Sequence, residues 1–67
     1  MDKETLKKSL EATLAATDEM LRLYMDDAKK MGINPYDLRD RHGVPMLLPL
    51  VQTRATTLAA LTSFLPR

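Results

Sequence analysis

The chain has 67 residues, of which 45% are hydrophobic and 28% charged, and its formal net charge is +1. This composition argues against intrinsic disorder, and the small net charge excludes a strong overall attraction to nucleic acid or anionic lipid. The chain contains no cysteine, so regular helix packing or oligomerisation must stabilise a domain this short. We expect one helical domain over residues 1–67. A cytoplasmic location is expected because cysteine is absent and the charged start lacks a secretion signal.

The first predicted element is a long helix from about residue 2 to residue 31. Asp2 can cap its start, and Gly32 is the residue type that ends helices in the left-handed conformation. Asp18 and Arg22 are four residues apart and are expected to pair on its polar side. Apolar or small residues recur at helical spacing and predict a buried face, formed by Leu6, Leu10, Leu14, Thr17, Leu21, Tyr24, Ala28 and Met31.

The segment "NPYDLRDRHG", residues 34–43, predicts a short connector helix. Asn34 is a good cap, and Pro35 suits the first helical position, so the helix would run from Pro35 to about His42. Gly43 would end it. A structured loop over the same residues is the alternative that the sequence leaves open.

A third helix is predicted from about residue 45 to residue 65. Pro45 can open it, but Pro49 lies four residues later and predicts either a kink or a regular helix that starts only near Pro49. Its inward face is predicted to contain Leu47, Val51, Ala55, Leu58, Thr62 and Leu65. Its polar face is predicted to contain Gln52, Thr53, Arg54, Thr56, Thr57 and Ser63. Apolar residues also occupy much of the remainder, so this helix requires burial on more sides than one partner helix can supply.

The stretch "DLRDRHGVPMLLPLVQTR" resembles a helix-turn-helix, which implies DNA binding. Two positions depart from that motif, because Arg39 replaces a small residue and Pro49 replaces an aliphatic one. The side chains that would face the groove are apolar, whereas base edges are read by hydrogen bonds; these side chains are Met46, Leu47, Leu50 and Val51. A degenerate helix-turn-helix regulator is therefore the alternative function, and nucleic acid is not the expected partner.

Catalytic, cofactor-binding and metal-binding residues are not expected. His42 with Asp37 and Asp40 has the composition of a metal or acid–base site, but the same residues are typical of a solvated connector. No glycine-rich phosphate loop or serine nucleophile motif occurs, so we expect no enzyme activity. Membrane association is a further alternative through residues 44–65, although Arg54 near the middle costs roughly 2.5–3.5 kcal/mol on insertion.

These patterns favour an all-α helical hairpin that pairs with a second copy in a four-helix bundle, so the expected partner is the chain itself, as a dimer. The predicted oligomer interface consists of Leu10, Leu14, Leu21, Tyr24, Val51, Leu58, Leu61 and Leu65. A second surface is predicted to stay open for a heterologous protein, and it consists of Met46, Leu47, Leu50 and Arg54.

A charged first helix, followed by "NPYDLRD", a glycine and an apolar helix rich in Leu, Thr and Ala, resembles small helical accessory proteins of actinobacterial phages. The similar part covers about thirty residues. The resemblance implies a protein that acts by binding a host or virion protein. It assigns no functional residue.

Overall fold

The computed structural model describes residues 2–65, in which two helices pack as an antiparallel hairpin. Helix α1 is Lys3–Met31 and helix α2 is Leu47–Thr62, and a single 3₁₀ turn, Pro35–Asp37, lies in the connector. The dimensions of 43 × 21 × 17 Å are those of two helices side by side. The expected all-α class is confirmed for these residues. The hairpin is a single chain, so it does not test the expected pairing into a four-helix bundle.

Helix α1 has the local signals that the sequence predicts at both ends. Asp2 caps the helix through Oδ1, which accepts a hydrogen bond of 2.6 Å from the Thr5 backbone N–H. That bond favours the ionised carboxylate and lowers the pKa of Asp2. At the other end Gly32 has a φ of 71°, and its N–H donates to the carbonyls of Ala28 and Lys29. The predicted range of about 2–31 is thus confirmed to within a residue.

The predicted connector helix from Pro35 to His42 is wrong, and the structured loop is found instead. Leu38 has extended backbone angles that end the 3₁₀ turn. Asp40 then accepts hydrogen bonds at Oδ1 from the backbone N–H groups of His42 and Val44, at 2.8 and 3.0 Å. These bonds compete with helical ones and fold the chain into a tight turn, closed by an isolated antiparallel bridge between Arg39 and Pro45.

Helix α2 is shorter than the predicted range of 45–65 and begins between the two prolines. It starts at Leu47, so Pro49 lies in its first turn. The N–H groups of the first turn have no partner within the helix, and a proline there loses no hydrogen bond. Of the two predicted outcomes, a regular helix that starts only near Pro49 is the one found, since α2 begins two residues before that proline.

The buried centre of the hairpin consists of small side chains and two leucines, one from the connector and one from α2. The buried hydrophobic residues are Ala28, Leu38 and Leu47. Thr17 and Thr57 are also buried, and each hydroxyl donates to a carbonyl four residues back in its own helix. No buried hydroxyl among the described residues is thus left without a partner.

The inward face of α2 is rotated from the predicted one. Thr57, which was placed on the polar face, is 5% exposed. Ala55 and Thr62, which were placed on the inward face, are exposed, as is Leu65 beyond the end of the helix. Thr57 tolerates burial because its hydroxyl bonds to its own backbone.

Candidate interaction surface

The predicted oligomer interface lies mainly along the seam between α1 and α2 of one chain. Seven of its residues are half-buried on the sides of the helices that face each other: Leu10, Leu14, Leu21, Tyr24, Val51, Leu58 and Leu61. Leu65 is 62% exposed. The structure thus assigns these seven side chains to packing within the hairpin, with part of each still open to a further layer.

The predicted surface for a heterologous protein is not open as a whole. Leu47 is 3% exposed, and it therefore belongs to the centre of the hairpin. Met46 and Leu50 are half-buried. Arg54 is exposed, but its Nε donates to Oδ1 of Asp18 at 2.7 Å. These four residues therefore do not form a continuous free patch.

The bond between Arg54 and Asp18 shows which parts of the two helices lie opposite each other. Asp18 was predicted to pair with Arg22 on its own helix, but Arg22 bonds to Glu19 and Asp26 instead. Glu19 is stabilised in its ionised form by the Arg22 guanidinium, which lowers the pKa of Glu19. A pair as exposed as Arg54 and Asp18 contributes at most about 1 kcal/mol, so it marks the register of the two helices and adds little stability.

That register leaves the amino-terminal part of α1 beyond the reach of α2. Helix α2 continues for eight residues after Arg54 and ends at Thr62. At about 1.5 Å per residue, its end lies opposite a point near residue 10 of α1. Leu6 is about one helical turn further out and is 43% exposed.

One flank of α1 is uncovered, and its exposed apolar residues are interspersed with the polar Thr5, Ser9 and Thr13. At about 100° per residue, Leu6, Ala16, Met20, Leu23 and Met31 fall within one sector beside the seam. All five are exposed. We call these five residues the open flank. Within Lys3–Met31, Asp27 is the one charged residue in that sector.

The opposite flank of α1 carries most of its charges. It is the side from which Asp18 reaches Arg54, and the Arg22 ion pairs with Glu19 and Asp26 also lie there. The helical spacing of the sequence places Met20 and Leu23 beside the predicted apolar face. It did not show that α2 would cover the middle of that face and leave this side free.

The surface area of the chain is large for its mass. The chain exposes 5256 Å², whereas a compact folded monomer of 7.6 kDa is expected to expose about 4,300 Å². The difference of about 1,000 Å² is similar to the roughly 800 Å² that each partner buries in a standard protein–protein interface.

None of the other candidate sites is formed within residues 2–65. No pocket and no cluster of three or more His, Asp or Glu with metal-binding geometry is found there. His42 donates its backbone N–H to Asp40, which orders the turn. The stretch that resembles a helix-turn-helix lacks the first helix of that motif, since residues 38–46 form the turn.

Neither helix of the described chain combines the length and the apolar character needed to cross a bilayer. Comparison of the sequence and the fold with protein-family models, with curated proteins and with solved structures gives no match.

Proposed function

We propose that this protein is a non-enzymatic helical interaction module that works as a homodimer, in which two hairpins pair into a four-helix bundle. The observation that carries the proposal is the surplus of about 1,000 Å² of exposed surface over that of a compact monomer of this mass. A second copy of the hairpin would remove a surface of that size from water.

The thin core supports the same proposal. The large hydrophobic residues of the described chain are mostly half-buried or exposed, and none is less than 2% exposed. Burial of apolar surface contributes roughly 25 cal/mol per Å², so a single layer of two helices obtains little stability from packing alone. Pairing two layers would bury the remaining half of the seam residues. Folding and assembly would then be one process.

The biological role that we propose for the assembly is binding to another protein. The support is the resemblance to small helical accessory proteins of actinobacterial phages, which implies a host or virion protein as the target. The assembled dimer, rather than the single hairpin, would present the binding surface.

If assembly supplies stability, the thermal unfolding midpoint should depend on protein concentration. A hundredfold increase in concentration should raise the midpoint by about 10 °C, because mass action favours the folded dimer over unfolded monomers. Circular dichroism at 222 nm over a concentration series measures this shift. A midpoint that stays constant across the series would contradict the proposal.

A further inference from the structure

We infer that the open flank of α1 is the dimer contact, and that it packs against the open flank of a second copy with the two α1 helices antiparallel. This inference rests on the proposed self-association and adds the surface, the orientation and the register.

The open flank fits a second copy of itself because it is uncovered and because its five residues carry no charge. The chain as a whole has a surplus of about 1,000 Å², close to what one partner contributes to a stable interface, and the open flank is an uncovered part of that surface. A surface related to itself by a two-fold axis brings identical residues near each other, so charges near the axis would repel. Leu6, Ala16, Met20, Leu23 and Met31 carry none.

The lengths of the helices favour α1 packing on α1 rather than on α2. Helix α2 has 16 residues and ends opposite residue 10 of its own α1, whereas α1 has 29 residues. An α2 helix of the second copy is about 24 Å long and would leave part of the flank from Leu6 to Met31, about 38 Å in length, uncovered. A second α1 covers the flank from Leu6 to Met31.

Asp27 decides between the two possible directions. A parallel pair would place Asp27 beside Asp27 of the second copy. In an antiparallel pair the two-fold axis lies near residue 18, at the middle of the flank, and the two carboxylates are roughly 27 Å apart along the helices. The antiparallel arrangement also opposes the two helix dipoles. Ala16 then faces Met20 of the second copy, and its small side chain allows the helices to approach closely.

Two neighbouring alanines provide a matched test of the surface. Ala15 and Ala16 are both exposed, but Ala15 lies on the charged flank and Ala16 on the open flank. Ala16→Lys places two like charges near the two-fold axis, so we expect the solution mass to fall to that of one chain. Ala15→Lys introduces the same residue between Glu11 and Glu19, and we expect it to keep the wild-type mass.

The absence of native cysteine allows a second test that does not require a destabilising change. With a short bifunctional maleimide, Met20→Cys should cross-link to itself in the assembled protein, because residue 20 lies close to the axis. Leu6→Cys should not, since its two copies are roughly 36 Å apart in the antiparallel register. Ala15→Cys is the control for chance encounters.

The outcomes separate this inference from the proposed function. Cross-linking of both Met20→Cys and Leu6→Cys would overturn the antiparallel direction. If the wild type is a dimer and the Ala16→Lys variant is also a dimer, the open flank is not the contact, although self-association stands. A wild-type monomer would overturn both.

Discussion

Replacing Leu47 with alanine should lower the free energy of unfolding by about 2–4 kcal/mol per chain, because Leu47 is one of three buried hydrophobic residues of the hairpin. It occupies the first position of α2, where the connector and both helices meet. The truncation removes buried methyl groups and leaves a cavity that this small centre cannot refill. Urea unfolding followed by circular dichroism measures the change.

Leu48→Ala is the matched control for that experiment. Leu48 follows Leu47 in the same turn of α2 but is 46% exposed, so we expect its replacement to cost less than about 1 kcal/mol. Equal losses in the two variants would mean that the centre of the hairpin is not where the structure has it.

A charge in the seam between α1 and α2 should cause the protein to unfold and to dissociate in the same step. Leu21→Asp puts a carboxylate among the half-buried side chains between α1 and α2, and the cost of removing that charge from water is more than about 2 kcal/mol. Because the proposed dimer forms from folded hairpins, helicity and solution mass should fall together.

Met25→Asp controls for the introduced residue itself. Met25 lies one turn further along α1 and is 51% exposed, so this variant carries the same loss of helix propensity without burial of the charge. We expect it to keep wild-type helicity and mass. If Leu21→Asp also stayed fully helical, the seam would not be the origin of the stability.

The first helix could be predicted because its signals are local. Asp2 and Gly32 act on the backbone within one turn of their own positions, and the three- and four-residue spacing between them identifies one face. The class of the fold and the range of α1 therefore follow from the sequence.

The connector and the rotation of α2 could not be predicted in the same way. Asp40 satisfies two backbone donors with one side-chain oxygen, and sequence patterns do not show whether those bonds outweigh a helical turn. In α2 apolar and small residues occur all round, so periodicity does not define which side faces α1. Thr57 is therefore buried at a position that the sequence pattern places on the polar face.

The candidate surface was predicted only in part. The sequence identified the seam residues, such as Leu14 and Leu58, as contact residues but not as contacts within one chain. Their assignment depends on how much of α1 the shorter α2 can cover, which is a property of the folded hairpin. The open flank around Met20 is what remains after that coverage.

The solution mass tests the central claim most directly. Light scattering after size exclusion, at two protein concentrations and without detergent, should give twice the chain mass of 7.6 kDa. That result would show that the chain associates with a second copy, as the account requires. A mass of one chain at both concentrations, with helicity intact, would contradict the account.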